Sequence, residues 1–161
     1  MGIGIAQIAS DHNHKVTIYD KSKKALKTAK EKLEKVLNRL IEKQKIDKKE
    51  SKRILSNIKF SNSIKEIEKA EIVIEAIVED LAVKKDVFQE IENLVSEKCI
   101  IATNTSSISI TSIASACRTP ERVIGMHFFN PAPLMPLVEI IPAIQTSDDI
   151  IKKTLTLSES W

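Results

Sequence analysis

The chain has 161 residues, of which 29% are charged and 42% hydrophobic, and its formal net charge is +3. This length and composition are typical of one soluble globular domain, or most of one. A charge of +3 is too small to indicate a nucleic-acid partner, and with 4% aromatic residues few rings are available to stack on bases. We therefore expect the lysines on solvated helix faces.

The two cysteines, Cys99 and Cys117, do not form a CxxC pair, and a chain of this length does not have the character of a small disulfide scaffold. We expect both thiols to be reduced, in a cytoplasmic protein. No apolar run reaches the length of a membrane span. The first residues also lack the charged and long apolar segments of a signal peptide. The sequence therefore predicts no membrane partner.

The N-terminal part of the chain predicts two helices and a strand in its first 46 residues. GIGIAQIAS at 2–10 is small and apolar, which suits a helix packed closely on a sheet. KVTIYD is β-branched and predicts a strand that ends at Asp20. A long amphipathic helix follows, with Ser22 as its N-cap, because apolar residues recur at helical spacing among lysines and glutamates. The next predicted elements are a shorter helix at 47–58 and a strand at 58–61.

From residue 71 onwards, strands alternate with helices. EIVIEAIVE at 71–79 contains a predicted buried strand, with Glu75 and Glu79 near its end. A helix is predicted at 81–98, and its apolar side is assigned to Val83, Val87, Ile91 and Leu94. The remaining predicted elements are a strand at 99–106 that runs into a polar loop, a short helix at 109–118, strands at 122–128 and 136–143, and a helix capped by Ser147.

This alternation predicts an α/β fold with a mostly parallel sheet. Such sheets bind ligands at the carboxyl ends of their strands. The candidate site residues are therefore Asp20, Glu79, residues 104–107, and His127 with its neighbours.

The first twenty residues have the order of the second half of a nucleotide-binding unit. Gly2 opens a helix, a strand follows, and Asp20 ends that strand at the spacing expected between a glycine fingerprint and its acid. The helix N-terminus would face a pyrophosphate. Asp20 would accept hydrogen bonds from ribose hydroxyls and favour NAD over NADP. The chain holds only three glycines, and close helix–sheet packing would explain Gly2 and Gly4 equally well.

The segment around His127 predicts acid–base chemistry. His127 ends a strand and Glu139 lies on the next strand, so a hairpin-like return would bring the carboxylate beside the imidazole. A carboxylate there orients the ring and fixes its tautomer. Phe128 and Phe129 would help to exclude water, and Ser106 would hydrogen-bond a substrate oxygen. The alternative is a satisfied core histidine with an acid on an edge strand.

Together these segments resemble the NAD-binding domain of the 3-hydroxyacyl-CoA dehydrogenases, including the 3-hydroxybutyryl-CoA enzymes. The resemblance rests on MGIGIAQIAS, VTIYD, VIEAIVED, ATNTSSISI and GMHFFNPAPLMPLVEII, and it covers essentially the whole chain. NTSS combined with HFFNP and LVE is its most specific part. The resemblance implies a Rossmann-like, doubly wound, mostly parallel sheet.

The resemblance also implies roles for individual residues. His127 matches the catalytic histidine, Glu139 its carboxylate partner, and Ser106 the serine at the substrate 3-oxygen and the nicotinamide. No metal site is implied, and the lysine-rich stretch 22–45 would lie near coenzyme A. The implied cofactor-binding residues are Met1, Gly2, Ile3, Asp20, Glu79, Lys84, Ser106 and Asn130.

The implied activity is NAD-dependent interconversion of (S)-3-hydroxyacyl-CoA and 3-oxoacyl-CoA, in fatty-acid or butyrate metabolism. Residues 1–161 would form a partial NAD-binding domain, without the family's first strand and without its helical C-terminal domain, through which full-length members would dimerise. We therefore expect the chain alone to bind NAD poorly and to turn over little.

Three alternatives remain from the sequence. They are a non-enzymatic or inactive NAD(H)-binding protein, a part of a multifunctional fatty-acid oxidation protein, and another Rossmann dehydrogenase that acts on, for example, sugar acids. The joint presence of His127 and Glu139 argues against the first, and HFFNP with Glu139 argues against the last.

Overall fold

A computed structural model describes all residues from Met1 to Trp161. They form two compact units, Met1–Glu66 and Ile67–Trp161. The helices span Gly2–Asp11 (α1), Lys23–Glu42 (α2), Lys48–Ser56 (α3), Leu81–Leu94 (α4), Ile110–Ala114 (α5) and Asp148–Glu159 (α6). The strands span Val16–Tyr19 (β1), Ile58–Ser61 (β2), Ile72–Glu75 (β3), Ile100–Thr103 (β4), Val123–Phe128 (β5) and Val138–Pro142 (β6). No helix is both long enough and apolar enough to span a membrane.

The first unit packs three helices with a pair of parallel strands. β1 and β2 pair in register from Val16 opposite Ile58 to Tyr19 opposite Ser61. Helix α2 begins where Ser22 Oγ accepts a hydrogen bond from the Ala25 N–H at 3.2 Å, as the N-cap prediction requires. The core of this unit consists of Ala6, Leu33, Leu37, Ile54 and Ile58.

The second unit contains a four-stranded sheet in the order β3-β4-β5-β6. The first three strands are parallel, and β6 runs antiparallel to β5. The central strands β4 and β5 are buried along nearly their whole length, so the core of this unit lies at the middle of the sheet. The prediction of an α/β fold with mostly parallel strands is confirmed, although the strands form two separate sheets.

Four helices, α2, α3, α4 and α5, end two to four residues earlier than predicted. Helix α2 ends at Glu42, and Gln44 follows with a φ of 56°, a left-handed conformation that reverses the chain. Helix α4 ends at Leu94, where Val95 adopts extended backbone.

The predicted apolar side of α4 is confirmed at Ile91, which is buried, and is wrong at Val83. Val83 is 41% exposed, whereas Lys84 and Phe88 are completely or almost completely buried. The physical reason is that the Lys84 ammonium pairs with a buried carboxylate, which brings its aliphatic stem into the core. The prediction of a buried β3 is also only partly met, because this strand lies at the edge of its sheet and most of its residues are half-buried.

A second buried carboxylate, Glu92, ties α4 to the segment before β5. Its oxygens accept hydrogen bonds from the Arg118 N–H at 2.8 Å and the Thr119 N–H at 2.9 Å. The Arg122 guanidinium lies 3.5 Å from Glu92 Oε1. Burial raises the pKa of Glu92, but these two N–H groups and the arginines outweigh it, so the pKa lies below its usual value.

Candidate active site

A histidine and a glutamate meet across the β5–β6 ladder. His127 is paired directly with Glu139 in the antiparallel register, and His127 Nδ1 lies 2.7 Å from Glu139 Oε2. Directly opposite residues on one face of a sheet have their Cβ atoms close together, so the register itself brings the two side chains into contact. The hairpin-like return predicted from the sequence therefore joins the imidazole to the carboxylate.

The contact with Glu139 also determines which imidazole nitrogen is available for chemistry. With Nδ1–H donating to the carboxylate, Nε2 carries the lone pair and can accept a proton. The His127 side chain is 17% exposed and that of Glu139 is 50% exposed. The Phe129 ring lies against the imidazole, with ring centroids 4.7 Å apart. The imidazole of His127 is thus largely shielded from water, while the carboxylate of Glu139 faces solvent.

The loop after β4 is held by Glu79. The Thr105 hydroxyl donates to both carboxylate oxygens at 2.9 Å, and the Ser106 N–H donates to Glu79 Oε1 at 2.8 Å. The Ser106 hydroxyl lies 3.3 Å from the same oxygen, a longer and weaker contact. Because β4 and β5 are parallel neighbours, Ser106, which follows β4, and His127, the penultimate residue of β5, lie at carboxyl ends on the same edge of the sheet.

Glu79 keeps its charge over a wide pH range. Burial raises the pKa of its carboxyl group, but the Ser106 N–H, the Thr105 hydroxyl and the Lys84 ammonium outweigh that effect and hold the pKa below its usual value. The side chain of Glu79 is nevertheless 42% exposed. It therefore presents an ionised acceptor to solvent beside Ser106.

Beneath Glu79 lies a fully buried ion pair. Lys84 Nζ contacts Glu75 Oε1 at 2.8 Å and Oε2 at 3.0 Å, and both side chains are 1% exposed. Glu75 also accepts from the Thr103 hydroxyl at 2.7 Å and from the Ile77 N–H at 2.5 Å. The Lys84 ammonium reaches Glu79 Oε2 at 3.4 Å. The buried pair thus connects the end of β3, helix α4 and the end of β4, and it contacts Glu79 in the loop between β3 and α4.

The predicted cofactor residues of the first unit lie at the start of α1 and the end of β1. Helix α1 begins at Gly2, and its first turn closes when the Gly4 N–H donates to the Met1 carbonyl at 2.8 Å. The N–H groups of Gly2 and Ile3 therefore precede the intrahelical bonds. Asp20 follows β1 and is exposed, and its Oδ1 accepts from the Ser22 N–H at 2.7 Å.

The predicted site residues of the second unit fall into two separate sets of contacts, and Asn130 belongs to neither. Ser106, Glu79 and Lys84 belong to one connected set of contacts, and His127 with Glu139 forms another. Asn130 is exposed, at the start of the turn after β5.

Sequence reasoning assigned no role to two members of the buried set, Glu75 and Thr103. The available signal was a carboxylate at the end of an apolar strand, followed nine residues later by a lysine on a helix. A buried carboxylate requires such a partner.

Parallel strands joined by helices in both units define a Rossmann-like α/β protein. The comparison with known families is specific. The family described as "3-hydroxyacyl-CoA dehydrogenase, NAD binding domain" matches residues 1–161, and the chain belongs to this family.

Individual relatives agree with this assignment. The chain is 41% identical over 160 residues to the 3-hydroxybutyryl-CoA dehydrogenase of Clostridioides difficile, covering 99% of this chain and 57% of the relative. The crystal structure of 3-hydroxybutyryl-CoA dehydrogenase from Escherichia coli K12 superimposes with a TM-score of 0.98 at 39% identity, over 100% of this chain and 34% of that one. The (S)-3-hydroxybutyryl-CoA dehydrogenase of Ralstonia eutropha gives a TM-score of 0.97 at 40% identity, over 99% of this chain and 56% of that one. The chain thus spans about half the length, or less, of the relatives that it matches.

Proposed function

We propose that this chain contributes to an NAD-dependent oxidoreductase that interconverts (S)-3-hydroxyacyl-CoA and 3-oxoacyl-CoA, with short acyl chains such as 3-hydroxybutyryl as substrates. The observation that carries the proposal is the contact of 2.7 Å between His127 Nδ1 and Glu139 Oε2. It supplies an oriented proton acceptor at the carboxyl edge of the sheet. The names of the relatives, which are 3-hydroxybutyryl-CoA dehydrogenases, support the substrate class.

The chemistry of the first unit fits a bound NAD. The amides of Gly2 and Ile3 suit the pyrophosphate, together with Met1 in the same turn, because a helix N-terminus carries a partial positive charge. The carboxylate of Asp20 suits the ribose hydroxyls. When bound, NAD accepts or returns the hydride of the substrate carbon.

Three residues of the second unit complete the proposed cofactor set. Glu79 offers an ionised and exposed acceptor, and Asn130 offers an exposed amide. Lys84 is only 1% exposed, so we propose that it acts on the cofactor through Glu79.

In the proposed reaction, His127 handles the proton. During oxidation the O–H bond of the substrate 3-hydroxyl breaks and the proton passes to Nε2, and during reduction Nε2–H returns it to the oxygen. Glu139 keeps the ring oriented and stabilises the imidazolium that forms. Ser106 donates its hydroxyl hydrogen to the substrate oxygen, so that orientation supplies part of the rate.

Turnover of (S)-3-hydroxybutyryl-CoA with NAD⁺ by a full-length form that contains this chain, followed by the absorbance of NADH, tests the proposal. We expect His127→Gln to lower the rate by roughly 10²–10⁴-fold. The matched control is His12→Gln, the same change at an exposed histidine after α1. NADH binding by the full-length form without any turnover would instead favour a non-enzymatic NAD(H)-binding protein.

We also propose a cytoplasmic location and a homodimeric full-length enzyme. Both cysteines are free thiols, which agrees with a reducing compartment. Burial raises the pKa of the Cys99 and Cys117 thiols to about 11, so they are poor nucleophiles near neutral pH. Dimerisation follows from the family resemblance, and sedimentation of a full-length form would test it.

A further inference from the structure

The side chain of Asn104 bridges two strands at the carboxyl edge of the sheet. It is the first residue after β4, and its Oδ1 accepts a hydrogen bond from the Phe128 N–H at 2.8 Å. The Asn104 N–H in turn donates to the Glu75 carbonyl at 2.8 Å. Asn104 is therefore tied to the end of β3 by its backbone and to the end of β5 by its side chain.

This side-chain bond continues the sheet beyond its regular ladder. The pairing of β4 with β5 ends at Thr103 opposite Gly125. Phe128 lies three residues further along β5 than Gly125. Because β4 has already ended there, no β4 carbonyl is available to accept from the Phe128 N–H. The Asn104 amide oxygen takes the place of a main-chain carbonyl, because both are neutral oxygens with the same acceptor geometry.

The two ends of this bond lie next to the two proposed reactive side chains. Ser106 is two residues after Asn104, and His127 directly precedes Phe128. We propose that Asn104 is a positioning residue, whose side-chain oxygen sets the placement of Ser106 relative to His127. The inference rests on the proposed function, in which these two side chains act on the same substrate oxygen.

Neither of the two carboxylates makes this connection. Glu79 holds Ser106 within the loop, at 2.8 Å from its N–H. Glu139 holds His127 from β6, at 2.7 Å. The Asn104–Phe128 bond joins the Ser106 loop directly to the strand that carries His127, and a small error in that spacing is costly, since misplacement by about 1 Å can reduce a rate roughly 10²-fold.

The test compares Asn104→Ala and Asn104→Asp in the full chain. Alanine removes the acceptor, whereas aspartate keeps an oxygen at the same reach and is the conservative rescue. The matched control is Asn93→Ala, because Asn93 Oδ1 accepts from an exposed Arg118 guanidinium at 2.7 Å, away from the loop after β4. If Asn104→Ala does not fold, Asn104→Ser replaces it, since the shorter hydroxyl does not reach as far.

The first readout is nuclear magnetic resonance, which does not depend on turnover. We expect Asn104→Ala to speed amide exchange at Phe128 and to shift both the Ser106 amide and the His127 ring signals, and we expect Asn104→Asp to retain the Phe128 protection. Unchanged Phe128 exchange in Asn104→Ala, or shifts that reach neither Ser106 nor His127, would overturn the inference.

The second readout is kinetic, and it is taken on a full-length form that contains this chain. We expect Asn104→Ala to lower kcat with (S)-3-hydroxybutyryl-CoA by about tenfold or more while the KM for NAD⁺ stays unchanged. Asn104→Asp should recover part of that loss. Wild-type kcat in Asn104→Ala, with Phe128 deprotected, would make the bond merely structural. Absence of turnover in the unsubstituted full-length form would count against the proposed function, and the magnetic resonance result would still decide the positioning.

Discussion

Glu139 binds one nitrogen of His127 and leaves the other nitrogen free, at the carboxyl end of β5. The carboxylate stands on the neighbouring antiparallel strand, and its placement follows from the ladder rather than from a flexible loop. Proton transfer at Nε2 should therefore depend on a residue that never touches the substrate.

Replacing Glu139 by glutamine tests that dependence. The amide oxygen can still accept from Nδ1–H, but the charge that stabilises the imidazolium is lost. We expect turnover of (S)-3-hydroxybutyryl-CoA to fall about 10²-fold, with NADH affinity unchanged. Glu97→Gln is the control, because Glu97 is exposed in the turn after α4. An equal loss in both variants would contradict the assigned role.

The buried pair of Lys84 and Glu75 should show strong coupling in stability. Glu75→Leu leaves the ammonium in the core with Glu79 at 3.4 Å as its remaining carboxylate. We expect this variant, and Lys84→Met, each to lose about 3–5 kcal/mol of unfolding free energy. The double variant should recover most of the loss, since apolar residues of similar volume replace the pair. Urea denaturation measures all three, and additive losses would disprove the coupling.

Glu92 should make the stability of the second unit dependent on pH. Its pKa in the folded protein lies below the ordinary 4.5. Its stabilising effect is therefore complete above 4.5 and is lost as the pH falls through the lower folded value. We expect Glu92→Gln to cost about 1–3 kcal/mol near pH 7. The difference from the unsubstituted chain should shrink below about pH 4 in urea titrations. A difference that stays constant with pH would refute the linkage.

Gly125 should not tolerate a side chain. A Cβ at this position of β5 would lie 3.0 Å from Ile110 Cδ1, 3.1 Å from Ile141 Cβ and 3.1 Å from the Ile141 carbonyl oxygen. We expect Gly125→Ala to lose about 1–3 kcal/mol in denaturant titrations, because the core must shift to accept the methyl group. Adding Ile110→Val removes the nearest atom and should recover part of the loss. Full stability of Gly125→Ala would show that the strand moves freely.

Much of the fold could be predicted because its signals are local. Ser22 and Ser147 were predicted as N-caps, and each accepts a backbone N–H at the start of its helix. Capping depends on the few residues around the helix start, so a short window of sequence contains the information. The contact between His127 and Glu139 was also within reach, since two consecutive strands with no helical crossover between them can pair in an antiparallel ladder.

The contacts that the sequence did not reveal join side chains from separate elements. The pattern of α4 pointed to Val83 on the buried side, but the electrostatic attraction of Glu75 turns Lys84 inwards instead. The hydrogen bond from Phe128 to Asn104 joins residues that are 24 positions apart in the chain. It depends on how far the ends of β4 and β5 are offset along the strand direction. Neither helical periodicity nor strand alternation indicates the distance between side chains on separate elements.

The antiparallel pairing of β6 with β5 determines where the chain length between His127 and Glu139 can vary. Because the ladder fixes the pairing of His127 with Glu139, residues can be inserted in the connecting turn after Asn130, at 131–137, without separating the two side chains. One extra residue within β6, between Val138 and Glu139, would send the carboxylate to the opposite face of the sheet. The part of the turn after Asn130 is therefore the segment in which length variation is tolerable, and the strand is the segment in which it is not.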